Sequence, residues 1–180
     1  MCGPFHQPLA QFSGIPPTTI EKENGSEVHK EVANYAKKFD IMLCIEPLNR
    51  FECYFLNTIK DAYDYVKLVN EDNFKILYDT FHSNIEEKDP VGSISKFSDK
   101  IGHIHISEND RGVPGKGNIP WSETFTGTKN LATCRRGFPL RPLSLRTDSR
   151  NVLVHLFAPR QGLPRGRHRR RGVRLLGRYS

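Results

Sequence analysis

Three short apolar segments, each closing on a residue able to bind a metal, constrain this chain most. Residues 41–46 end on Glu46, residues 74–79 end on Asp79, and residues 101–107 carry His105 near their end. A segment of helical period precedes each one. The stripes are Val28, Val32, Tyr35, Ala36 and Phe39 over 26–39, then Ile59, Ala62, Tyr63, Val66 and Val69 over 58–70, then Val91, Ile94 and Phe97 over 89–98. A short apolar run bounded in this way predicts a buried parallel strand. The alternation of helix and strand, about one unit per 30 residues, implies right-handed crossovers and one parallel sheet.

An open doubly wound sheet and a (β/α)8 barrel both satisfy that pattern. The strand ends favour the barrel, because barrel enzymes gather their chemistry at the carboxyl ends of their strands. Glu46, Asp79 and His105 lie 33 and 26 residues apart at three successive ends. Two carboxylates and an imidazole side by side suit a hard or borderline divalent cation, Mn²⁺, Mg²⁺ or Co²⁺, better than zinc. His103 shares a side of its strand with His105 and reads as an interior histidine. His82, three residues after Asp79, is expected in a loop within reach of a substrate hydroxyl. Glu52 and Arg111 fall in the loops after the first and third strands. Residues 1–25 are rich in Pro and Gly and read as loop, with Thr18 or Thr19 as a helix cap. Residues 108–120 read as a second such loop.

Charge divides the chain. Residues 1–130 hold 14 Lys and Arg against 19 Asp and Glu, whereas residues 131–180 hold 13 Arg, no Lys and a single acid, Asp148. An acidic first part argues against a surface that tracks phosphates. The basic part lacks a zinc motif, an RNA-binding signature and interleaved aromatics, so no specific nucleic-acid partner is expected. The longest apolar run, 41–45, is far too short to span a bilayer, and no membrane partner is expected. The four cysteines, Cys2, Cys44, Cys53 and Cys134, have no C-x-x-C pairing. They read as a reduced, cytoplasmic set, neither a disulfide frame nor a zinc site.

Three longer motifs carry a family resemblance. The first runs from Glu46, Pro47, Asn49 and Arg50 through Glu52 to Asn57 and Thr58. The second runs from Asp79, Thr80, Phe81 and His82 through Asn84 to Glu86, Glu87 and Asp89. The third runs from His103 and His105 through Glu108, Asn109 and Arg111 to Pro114, Gly115 and Trp121. Together they resemble the D-tagatose/D-psicose (D-allulose) 3-epimerases of the xylose-isomerase-like barrel superfamily, over about residues 1–127. The resemblance implies a partial (β/α)8 TIM barrel, from the end of strand four through strand seven. It implies Glu46, Asp79 and His105 as metal ligands, with Mn²⁺ the favoured ion, and Glu46 as one of two carboxylates moving the proton at C3 of a ketohexose. It further implies that Glu52, His82 and Arg111 hold the substrate, that Cys2, Gly3 and Pro4 shape the pocket, and that the enzyme is a homo-oligomer.

The likeness stops near residue 127. The family's fourth ligand, a Glu on strand eight that doubles as the second acid/base, has no counterpart. Glu123 is the last Glu, and Asp148 lies among arginines. Residues 128–180 are expected to be a frame-shifted or disordered basic tail, in which 151–157 alone has strand character. With the first three strands also lacking a counterpart, little or no epimerase activity is expected of this chain by itself. Competing readings are a sugar isomerase or apurinic endonuclease of the same superfamily, or a non-catalytic fragment whose arginines bind polyanions.

Overall fold

The computed structural model describes residues 1–133 and the pair His155–Leu156, with side chains through residue 128. The elements run β1 (Cys2–Gly3), α1 (Thr19–Lys37), β2 (Leu43–Ile45), α2 (Ile59–Val69), β3 (Phe74–Asp79), α3 (Thr80–Glu86), α4 (Pro90–Lys96), β4 (Ile101–Ile106), α5 (Trp121–Thr133) and β5 (His155–Leu156). Every strand pairing is parallel, in the order β1-β2-β3-β4-β5. Apart from β5, the arginine-rich stretch expected to be irregular lies outside the described residues. No described helix is long and apolar enough to cross a membrane.

The sheet is curled, and side-chain distances show it. Flat strands about 4.8 Å apart would put β1 and β4 about 14 Å from one another. Yet ligand-capable atoms of Cys2 on β1 and of His103 and His105 on β4 all lie within 4.8 Å of one another. Only a strongly concave face brings them together, as in the wall of a barrel. The wall is tight at Gly102, which falls at an irregularity in the β3–β4 register. A Cβ there would come within 2.6 Å of Lys75 Cβ and 2.7 Å of Cys44 Sγ.

Side-chain chemistry sets the helix starts. Thr18 caps α1 in a reciprocal box with Glu21, and Thr58 caps α2 in the same way with Asp61. Helix α1 therefore begins well before the expected residue 26, and Cys2–Gly3 forms a strand inside the expected loop. The buried face of α1 also differs from the apolar stripe. Ser26, His29, Ala33 and Ala36 face the core, while Val28, Val32, Tyr35 and Phe39 are exposed. The core beneath α1 is already filled by large rings. His29 Nδ1 lies 2.6 Å from the Tyr65 hydroxyl and the His29 ring packs on Phe74. Small and polar residues fit against these rings where Val and Tyr would clash. Asn34 and Lys37 turn toward Glu71 just after α2, which leaves the apolar stripe on the opposite flank. Helix α3 is a further correction. His82 sits in this helix, not in a loop, because Asp79 ends β3 and caps α3 at once: its Oδ1 accepts from the backbone N–H groups of Phe81 and His82.

The segment after β1 adds His6, which stacks on Phe55. Both its ring nitrogens are buried with no hydrogen-bond partner among the described residues. Burial first, then the neighbouring His29, lowers its pKa from 6.5 to about 4. The unfolded chain therefore binds this proton first as pH falls. Stability from this group is present above pH 6.5 and is lost toward pH 4, by about 2–3 kcal/mol at pH 4.5. Urea unfolding at pH 7 and pH 4.5 should show a smaller acid loss in His6→Phe, which keeps the stack. An equal loss in both proteins would show that His6 is not the source.

Candidate metal and substrate site

Glu46 follows β2, Asp79 ends β3 and His105 lies on β4, so the carboxyl ends of three neighbouring strands bring them together. His105 Nδ1 stands 3.2 Å from Glu46 Oε1 and 3.4 Å from Asp79 Oδ2. One ligand-capable atom from each of the three lies within 4.8 Å of the other two. Both carboxylates are buried, at 6% exposure each. Burial works to lower the His105 pKa, but the hydrogen bonds to Asp79 and Glu46 and their charges outweigh it and push it up to about 10. Burial likewise works to raise Asp79, and the contact with His105 holds it below its ordinary range. Without a cation, a proton on His105 is what balances two adjoining carboxylates. Two oxygens and one nitrogen converging on one gap, with a positive charge required there, fit a divalent cation.

Asp79 divides its oxygens, one on the α3 cap and one toward His105. The cap therefore fixes the carboxylate's orientation. Thr80 secures the next position: its hydroxyl donates to the Ser107 carbonyl at 2.7 Å and accepts from the Ser107 N–H at 2.9 Å, tying the ends of β3 and β4 together.

The other expected residues line the same mouth. His82 is buried and feels the charges of Asp79, Glu46, Glu52 and Arg111. Its Nδ1 accepts from the backbone N–H of Asn49 at 3.0 Å. The ring proton is thereby assigned to Nε2, the opposite side of the ring. Burial keeps His82 below its usual pKa, against the raising effect of Asp79. It is thus a neutral donor. Glu52 Oε1 accepts from Arg111 Nη2 at 2.7 Å and from Asn49 Nδ2 at 3.0 Å. The Arg111 guanidinium lies over the Phe81 ring, 4.2 Å from its centroid.

Two organising residues escaped the sequence reading. Asn49, nearly fully buried, joins His82 to Glu52 through one side chain. Its signal was its place three residues after a strand-end carboxylate. Glu108 is fully buried and accepts from the backbone N–H groups of Gly115 and Ile119 and from the Trp121 indole. It closes the 108–120 loop on itself and so sets Arg111, which has a left-handed φ of 60°. A Glu in a Gly/Pro-rich loop reads as solvated, and only the folded loop reveals these donors.

The sequence profile of the xylose isomerase-like TIM barrel matches residues 6–127. The chain belongs to the xylose isomerase-like TIM barrel family. Among relatives within it, a D-psicose 3-epimerase of Enterocloster bolteae is 45% identical over 102 residues, covering 57% of this chain and 34% of that protein. A D-psicose 3-epimerase of Ruminiclostridium cellulolyticum is 44% identical, covering 58% and 37%. The crystal structure of D-psicose 3-epimerase with D-tagatose from Clostridium cellulolyticum H10 superposes with a TM-score of 0.67 at 35% identity, over 72% of this chain and 45% of that one. An AP endonuclease of Brucella melitensis, at 22% identity and a TM-score of 0.62, shares the fold. The chain spans about a third to under half of these curated and crystallographic epimerases' lengths. Its relatives are isomerase-class carbohydrate epimerases, and the described strands form one sector of the family's barrel.

Proposed function

We propose that residues 1–127 form the metal- and proton-handling wall of a ketose 3-epimerase acting on a free ketohexose of the psicose and tagatose type. The observation that carries this reading is the convergence of Glu46, Asp79 and His105 beside the linked set His82, Asn49, Glu52 and Arg111. Glu46, Asp79 and His105 would hold a divalent cation, with Mn²⁺ favoured and Mg²⁺ or Co²⁺ as close substitutes. Such a cation, when bound, supplies the Lewis acidity that makes a C–H beside a ketone acidic enough to lose its proton. Glu46 takes that proton. Asp79 is committed to its cap and Glu52 to Arg111, so neither competes for the task. His82 donates from Nε2 to a sugar oxygen, and Glu52 and Arg111 hold further hydroxyls at the rim. Inversion at C3 needs a second acid/base on the opposite face of the sugar, and no described residue is assigned to it. Cys2, Cys44 and Cys53 form no disulfide among the described residues, which suits a reducing compartment such as the cytoplasm, and a homo-oligomer is the proposed assembly.

A ketohexose incubated with the chain and Mn²⁺ in D₂O tests this. Deuterium should enter at C3 faster than the sugar inverts, because one face is served. Absence of exchange above the buffer rate, with Mn²⁺ shown to be bound, would remove the proposal.

The cation is testable without turnover. Mn²⁺ at a hundred times its dissociation constant should stabilise the fold by about 2.7 kcal/mol. That corresponds to about 5–10 °C in thermal midpoint for a chain of this size. Asp79→Asn should lose most of the shift while keeping α3, since Asn caps a helix as well as Asp does. A full shift in Asp79→Asn would place the ion elsewhere.

A further inference from the structure

His105 takes part in a second ligand group, distinct from the carboxylates. Cys2 Sγ, one nitrogen of His103 and one of His105 also lie within 4.8 Å of one another. The three come from β1 and β4, which the curled sheet brings face to face across its concave side. All three are half-buried, and the rings of His103 and His105 pack edge to face at 5.1 Å. We propose that Cys2, His103 and His105 form a second cation site, for a soft or borderline ion of the zinc class, coupled to the carboxylate site through the shared His105.

The donor chemistry separates the two. Two carboxylates and an imidazole favour Mn²⁺, Mg²⁺ or Co²⁺, whereas a thiolate with two imidazoles favours Zn²⁺ or Cd²⁺ and gives bound Co²⁺ a thiolate signature that the carboxylate site lacks. Three protein ligands would leave a coordination position open, as in zinc sites that also hold water. On binding, the Cys2 thiol releases its proton to solvent as the metal–sulfur bond forms, and His105 gives up its extra proton as its nitrogen becomes a ligand. Neither of the other described thiols joins this group. Cys44 is the register partner of Cys2 and shares its face, but its Sγ lies beside Gly102 and is not among the ligand atoms that converge with those of His103 and His105. Cys53 is buried with its thiol directed at the Leu48 and Leu56 carbonyls. Spacing could not have shown this group, since Cys2 and His103 are 101 residues apart.

Co²⁺ titration of the full chain, in a Cys134→Ser background, tests the site. A thiolate-to-cobalt charge-transfer band should appear in the near ultraviolet and saturate at one equivalent. Cys2→Ser should abolish it, and His103→Asn should weaken Co²⁺ binding by about tenfold or more. Glu46→Gln should leave the band in place while weakening Mn²⁺ binding. His105→Asn should lose both. Circular dichroism confirms that each variant is folded, and Cd²⁺ absorption in His103→Gln provides a second reading if His103→Asn is not. Saturating Co²⁺ with no thiolate band, or a band that survives Cys2→Ser, overturns the proposal.

Discussion

Glu46→Gln is expected to lower Mn²⁺-dependent exchange of the ketose C3 proton by about 10²–10⁴-fold, the usual contribution of a positioned general base. The substitution preserves the shape of the side chain and keeps a carbonyl oxygen able to ligate. It removes the only property that matters for exchange, a basic site. Because Glu46 is also a proposed ligand, the comparison must be made at saturating Mn²⁺, with occupancy measured by titration. Two outcomes are then distinguishable. A fall that disappears once occupancy is restored makes Glu46 a ligand only. A fall that persists at full occupancy makes it the base as well. Exchange at the wild-type rate would assign the proton to another group, and the His82–Asn49–Glu52 network would be the next to examine.

The parts of this site that could be read from sequence are those that a strand presents by position. Glu46, Asp79 and His105 each follow or end an apolar run. In a parallel barrel that is sufficient to bring them to one rim. What could not be read depends on which groups a side chain meets from elsewhere in the chain. Asp79 reads as a strand end, yet the same carboxylate starts α3 and carries His82 into a helix. Glu108 reads as a loop charge until Gly115, Ile119 and Trp121 fold over it. Helix α1 shows the limit most clearly. Of its apolar stripe only Ala36 is buried, while Val28, Val32, Tyr35 and Phe39 are exposed, and the buried face is small and polar. Periodicity reports that a helix has two faces. The space left by Tyr65 and Phe74 decides which one is buried.

That difference sets the last expected result. Phe74→Ala should cost about 3–5 kcal/mol, the range for emptying a buried aromatic site. Phe74 is fully buried at the start of β3. Its ring centroid lies 5.3 Å from that of His29 on α1, 6.1 Å from Phe5 after β1 and 6.5 Å from Tyr65 on α2. One ring thus joins three segments to the sheet. Phe39→Ala, on the exposed flank after α1, should stay within about 0.5 kcal/mol of the parent. Comparable costs for the two, by urea unfolding, would restore the apolar stripe as the core face. Asp79 closes the same strand five residues further on, at the opposite rim. Barrel proteins separate a stabilising end from a reactive end, so folded Phe74→Ala should retain its Mn²⁺ shift although its baseline stability has dropped. If the shift falls along with the stability, the base of the wall holds Asp79 in register with Glu46 and His105, and packing at one end of β3 tunes the ligand geometry at the other.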